Sequence, residues 1–195
     1  MVNATLLDGL RPSDLDLIER GWSPYRLRTL ERLLRSGAPR EDWPESLHWD
    51  WSKKRADLRL LEASGFGIVC NEDWQGVLMT KTASHAARLP DDTGKPIVYV
   101  DYVEVAPWNW RIESLGQKSR FMAVGAVLMR TAIRQSLEEG FRARVGLHSL
   151  PQAEVFYRNT CGMTPLGRDD EKQNLLYFEF SSEQAKSFLD QGGAS

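Results

Sequence analysis

Between Arg120 and Met129 the chain passes from an extended run to a helix through small residues at Ala123, Gly125 and Ala126. The run upstream, Pro96 to Pro107, is the most strand-like stretch of the sequence, rich in valine, isoleucine and tyrosine. Downstream, Met122, Ala126, Met129, Ile133 and Leu137 share one helical face, and Gly140 supplies a stop. A strand followed by an amphipathic helix belongs to a layered α/β architecture, in which each element buries its apolar side against another. The small residues also leave backbone N–H groups at the helix mouth unshielded. Together with the positive end of the helix dipole, those donors make a seat for phosphate.

The rest of the chain fits around this centre. Residues 1 to about 64 read as mainly helical. Ser13–Asp16 looks like a capping box, and Ser23-Pro24 like a second helix start. Leu27, Leu30, Leu33 and Leu34 form the apolar stripe of that second helix, Gly37 stops it, and Arg26, Arg28, Arg32 and Arg35 form its solvated face. A third helix is expected from about Glu45 to Ala63, with Leu47, Trp51, Leu58 and Leu61 inward. From Phe66 the pattern changes to strands. Gly67–Cys70 and Gln75–Thr82 read as a hairpin, Arg142–Ser149, Met163–Gly167 and Asn174–Phe180 as further strands. Pro151–Thr160 reads as a short helix, Ser181–Gln191 as a final one, and the tail from Gly192 as loose. Trp108–Ser119 has no period and is expected to loop out. The sum is a mixed-sheet α/β (α+β) fold, mostly antiparallel, with an N-terminal helical segment.

Gross properties narrow the classes. A chain of 195 residues with 42% hydrophobic and 27% charged residues suits one globular domain. A net charge of −2 gives no reason to expect nucleic-acid binding, and no apolar run approaches membrane-spanning length. Cys70 and Cys161 form no paired motif, which suits a reducing, cytoplasmic setting. Five of the seven tryptophans fall in the first 75 residues. They read first as core, and otherwise as an aromatic wall for an acceptor or partner.

In these residues the chain resembles the GNAT superfamily of N-acetyltransferases. Arg120-x-x-Ala123-x-Gly125 is similar to the family's Gln/Arg-x-x-Gly-x-Gly/Ala signature, with alanine for the first glycine. Val103-Glu-Val-Ala-Pro107 resembles its upstream strand, and Ala153-x-x-x-Tyr157 with Gly162-Met163 its Tyr-bearing helix. The likeness covers about residues 66 to 180, with 1–64 as a helical N-terminal part of one domain spanning 1–195. It departs in that Pro107 and Arg120 lie 13 positions apart, where the family has a few residues. Leu150-Pro151 replaces the family's usual Asn, and Ala4–Leu7 is the candidate for a first strand.

The resemblance implies an acetyl-coenzyme A-dependent transferase without a metal. An amine, on a small molecule or a protein, would attack the thioester directly in a ternary complex. Backbone N–H groups of Phe121, Met122, Ala123, Val124, Gly125 and Ala126 would hold the pyrophosphate, with Arg120 as a nearby cation. Ala123 is expected to be tolerated because a helical φ does not require glycine. Val103 and Val105 would pair with the pantetheine amides along an open strand edge, as a peptide would. Tyr157 would act as general acid for the departing thiolate, and Glu104 as base for the amine, with Asp101 as the other candidate. The N-terminal helices and the Trp108–Ser119 insertion would form the acceptor side. Families of this kind often pair through strand edges or helices, so a homodimer is compatible with the reading.

Other readings stay open at this level. One is a non-catalytic acyl-coenzyme A sensor, the other a toxin-type acetyltransferase acting on aminoacyl-tRNA. His48, His85 and His148 have no metal-ligand spacing, and hydrolase, Walker and dinucleotide fingerprints are missing. His148 is expected to be a sheet residue near the coenzyme arm with no chemical role.

Overall fold

The computed structural model describes residues 3–192. Seven strands, β1 (Ala4–Asp8), β2 (Ala63–Cys70), β3 (Asp73–Lys81), β4 (Val98–Val105), β5 (Val145–Ser149), β6 (Thr164–Asp169) and β7 (Leu175–Phe180), form one sheet. Their order is β1-β2-β3-β4-β5-β7-β6. The β1–β2, β5–β7 and β6–β7 pairs are antiparallel, and β4–β5 is parallel. The α-helices are α1 (Pro12–Ser36), α2 (Val124–Glu138) and α3 (Ser182–Asp190). The fold is therefore mixed α/β, with a mostly antiparallel sheet and a helical N-terminal segment. Of the tail from Gly192, the last three residues lie outside the described residues. No helix among the described residues is long and apolar enough to cross a membrane.

The residues gather into two compact units. One holds the chain up to Leu78 together with Val103–Gly125. Here the helical segment differs from its sequence pattern. A single helix runs through Pro24. Asp14 anchors its start by accepting the Arg11 N–H at 2.8 Å, ahead of the expected cap at Ser13. Proline removes one hydrogen bond from the helix, but a buried row of Leu15, Ile18, Trp22, Arg26, Thr29 and Leu33 holds both halves in register. That row replaces the expected leucine stripe: Leu27 and Leu34 are 59% and 61% exposed. Arg26, placed by pattern on the solvated face, is buried.

The third helix expected from Glu45 is instead three short 3-10 turns at Glu45–His48, Trp51–Arg55 and Asp57–Arg59. Asp50 explains the break, since its carboxylate takes both the N–H and the hydroxyl of Ser52. Such local bonds compete with a continuous helix. Trp51 and Leu58 are buried as expected, whereas Leu61 is exposed. Trp22 and Trp51 pack edge to face at 6.4 Å inside this unit, which settles those two as core. Trp74 lies over Gly67, where any side chain would meet its ring.

The other unit comprises Met79–Tyr102 and the chain from Ala126. Val98, Val100, Val145, Leu147, Leu176, Phe178 and Phe180 are buried, and period-two alternation puts those of each strand on one side. Phe188 of α3 packs on Phe180 at 5.7 Å. Ser181 caps α3 with a reciprocal bond to Gln184. The other side carries polar groups: Tyr99, His148, Tyr177 and Glu179. Both cysteines are buried, and burial pushes the Cys161 thiol up to about 12.

Candidate functional site

The segment between β4 and α2 is built from the first unit. Trp108–Ser119, expected to loop out, is tied down at both ends and packed at its centre. Trp110 and Ile112 are buried against Leu33 of α1, with Val105 packed on the same cluster. Gln117 Nε2 donates to the carbonyls of Pro107 and Trp110, and Arg32 of α1 reaches Gln117 and Leu115. Buried Asn109 is the hinge pin: its Nδ2 faces Gln75, its backbone carbonyl accepts from Ser119, and its Oδ1 accepts the Phe121 N–H at 2.9 Å. Sequence reasoning missed Asn109 and Gln75, since nothing in their spacing shows that the insertion folds back onto β3.

Arg120–Ala123 is irregular chain, and α2 starts at Val124, later than the pattern of small residues suggests. The Arg120 N–H donates to the Trp108 carbonyl, and its guanidinium lies 5.6 Å from the Trp108 ring centre. Met122 is 88% exposed, so it does not belong to the buried face of α2. Ala123 has φ of 62°, the left-handed region that favours glycine. The expectation that a helical φ makes alanine unproblematic is thus corrected, because the residue sits before the helix. Of the predicted phosphate donors, Phe121 already gives its N–H to Asn109. The N–H groups of Val124, Gly125 and Ala126 open α2 and have no carbonyl within the helix to receive them.

On β4, Val103 and Val105 are half-buried and Glu104 is buried. Glu104 Oε2 accepts from Arg26 Nη2 at 2.9 Å and from Trp51 Nε1 at 2.6 Å. Arg26 Nη1 in turn holds both oxygens of Glu19, whose Oε2 also takes the Trp51 backbone N–H at 2.8 Å. Glu104 Oε1, with Ser46 nearby, makes no well-aligned hydrogen bond. Burial raises the Glu104 pKa, against the pull of Arg26. Asp101, the other carboxylate considered, is paired with Lys81 at 2.7 Å.

Within the second unit, β4 and β5 separate. Parallel pairing covers Val98–Val100 against Val145–Leu147 and ends there, while β5 continues to pair with β7 through Ser149. A fork between the two strands therefore opens at Asp101 and His148. Tyr157 lies in a turn of π-helix, Phe156–Thr160, and is buried against Phe156 and Phe178. Burial raises its pKa, so the phenol stays protonated at neutral pH.

His148 is a sheet residue, as expected, and both of its ring nitrogens have partners. Its Nδ1 lies 2.9 Å from the Tyr99 hydroxyl, and its Nε2 lies 3.1 Å from Asp169 Oδ2. Arg88 binds the same Asp169 oxygen at 2.9 Å. Tyr177 packs beside His148 at 4.9 Å, over Gly146, whose lack of a side chain makes room for the phenol. The signal was present in part: period-two alternation puts Tyr99, His148 and Tyr177 on one face, once the register of their strands is known. Among the described residues, no group of three or more His, Cys, Asp or Glu side chains could hold a metal ion.

A fork of parallel strands, followed by a helix that opens on small residues, defines the fold of the GNAT acetyltransferases. Solved structures bear this out at low sequence identity. The N-acyl amino acid synthase FeeM from uncultured soil microbes matches with a TM-score of 0.58 at 14% identity, over 96% of this chain and 94% of its own. A putative GNAT acetyltransferase from Desulfovibrio desulfuricans matches with 0.57 at 9% identity, over 92% and 99%. The PaiA N-acetyltransferase of Thermoplasma acidophilum, solved in complex with coenzyme A, matches with 0.54 at 12% identity, over 91% and 98%. No family model and no curated protein matches the sequence.

Proposed function

We propose that the protein transfers an acyl group, acetyl in the simplest case, from acyl-coenzyme A to a primary amine by direct attack in a ternary complex. The observation that carries this reading is the fork. Where β4 outruns its pairing with β5, it offers a strand edge that suits the peptide-like pantetheine arm. Val103 and Val105 supply that edge in the reading. The N–H groups of Val124, Gly125 and Ala126 take the pyrophosphate, supported by the helix dipole and by Arg120. Coenzyme A supplies the activated thioester, and Tyr157 supplies a proton to the departing sulfur. Glu104 keeps the end of β4 in place through Arg26 and Trp51, a positioning role in place of the base role expected from sequence.

The test is thermal unfolding with and without acetyl-coenzyme A, on the wild type and on Gly125→Glu. At a hundred times the dissociation constant, binding adds roughly 2.7 kcal/mol. For a chain of this size that is on the order of 5–10 °C. A shift in the wild type that Gly125→Glu abolishes is the expected result. No shift at millimolar acetyl-coenzyme A overturns the reading.

A further inference from the structure

We propose that Tyr99, His148 and Asp169 form a proton relay that takes up the proton released by the acceptor amine. This rests on the acyl-transfer reading and supplies the base that it lacks, since Glu104 and Asp101 are engaged by Arg26 and Lys81.

The argument begins with hydrogen-bond direction. A carboxylate only accepts, so His148 Nε2 carries the hydrogen that faces Asp169. In the neutral ring Nδ1 is then the acceptor, and it receives the Tyr99 hydroxyl. The order is that of an activated hydroxyl, a base, and a carboxylate that orients the base and stabilises its protonated form. Arg88 holds the same carboxylate and keeps it below the usual carboxylate range, with His148 contributing after it.

Placement gives the second strand of evidence. Tyr99 lies in the last stretch of β4 that pairs with β5, and His148 is the first residue of β5 beyond that pairing. Their hydrogen bond spans the crotch of the fork. Both side chains are buried, whereas Arg88 reaches solvent and Asp169 is partly open to it. The chain of groups therefore leads from the fork outward. Charged and titratable neighbours face His148 from every side. They are Tyr99 on β4, Tyr177 on β7, Asp169 on β6, Arg88 and His85 from the segment between β3 and β4, and Lys172 after β6. Burial is the largest effect and lowers the His148 pKa, with Arg88 and Lys172 acting the same way and Asp169 opposing them. The imidazole is neutral at neutral pH, the state in which it can accept a proton. His85 stacks flat on the Tyr99 ring at 3.6 Å and fixes its orientation.

In the step itself, the amine nitrogen bonds to the thioester carbonyl carbon. Its proton passes to the Tyr99 oxygen as the phenol proton passes to His148 Nδ1. The carbon–sulfur bond breaks, and the thiolate takes a proton from Tyr157. The imidazolium releases a proton to water and returns to its Nε2–H form, losing in net the proton taken up at Nδ1, and Tyr157 regains one from solvent, so the cycle closes without a net change in the enzyme.

The experiment follows thiol release from acetyl-coenzyme A across neutral and mildly acidic pH. Water serves as acceptor in one arm and a panel of short primary amines in the other; the water arm has no acceptor titration of its own. The expected wild-type rate falls on the acid side, with a midpoint below the ordinary histidine value of about 6.5. His148→Gln keeps a hydrogen-bonding amide but cannot titrate. It is expected to lose about a hundredfold or more in kcat and to lose the acid limb. Tyr99→Phe is expected to lose kcat similarly, with the KM for acetyl-coenzyme A unchanged, and carries the test alone should His148→Gln fail to fold. An acid limb that survives in either folded variant, or a kcat within a few-fold of wild type, overturns the relay. So does a wild type that binds coenzyme A by thermal shift but releases no thiol. Absence of the thermal shift instead overturns the acyl-transfer reading on which the relay rests.

Discussion

The two compact units each bury a polar network, Glu19–Arg26–Glu104–Trp51 in one and Tyr99–His148–Asp169 in the other. The first is a guanidinium between two carboxylates, closed off by an indole N–H. Such an arrangement ties α1, the Trp51 turn and β4 together. The second is made of a phenol and an imidazole ending on a carboxylate, groups that can exchange protons along their hydrogen bonds. Burial of polar groups is costly in both units. The difference suits a scaffold in one and proton chemistry in the other.

That comparison breaks first at Arg26. Arg26→Met strands Glu104 and Glu19 and is expected to cost about 3–5 kcal/mol in urea unfolding, without moving the acid limb of the rate profile. A change in that limb would mean the first network also titrates. Asn109 comes next. Asn109→Ala leaves the Phe121 N–H without its side-chain acceptor, for an expected loss of about 1–3 kcal/mol, and loosens the chain ahead of α2. Calorimetric titration with coenzyme A should then show weaker binding; unchanged affinity would separate that segment from the phosphate seat.

A smaller effect, of opposite sign, is expected at Ala123. Ala123→Gly relieves a left-handed backbone and should raise stability by about 1 kcal/mol, read from denaturant midpoints. The smallest effect sharpens the titratable side. Burial pushes His85 down to about 4, with Lys172 adding to it. An unfolded histidine binds its proton below about pH 6.5, so the unfolded chain gains protons first and stability falls as pH drops through that window. His85→Gln should flatten the melting temperature against pH between 6.5 and about 4 relative to wild type. Identical slopes in the two proteins would remove His85 from the titrating set.

Much of this was legible from residue order. The hairpin around Asn71, the long strand before Pro107, α2, β7 and α3 all follow from local alternation, helical spacing and caps, and the structure contains each of them, together with a strand at the candidate stretch Ala4–Leu7. What failed did so where a distant partner overrides a local rule. Arg26 reads as solvated until Glu104, 78 positions away, is placed beside it. Pro24 reads as a helix start until the buried row on both sides is seen to be continuous. Trp108–Ser119 reads as loose because its anchors, Gln75 and Leu33, lie in other elements. Ala123 illustrates a subtler failure: the motif was visible, but the position of the helix start, and with it the sign of φ, was not. His148 was passed over because a strand residue shows its neighbours only when the register is known.

The buried thiols have a practical consequence for all these measurements. Cys161 is held almost wholly as the unreactive protonated form, and Cys70 is enclosed in β2. In the folded protein an aromatic disulfide dye should therefore report coenzyme A release against a nearly silent background. The same dye turns into a clock for unfolding once substrate is left out, since each cysteine becomes countable only when its unit opens.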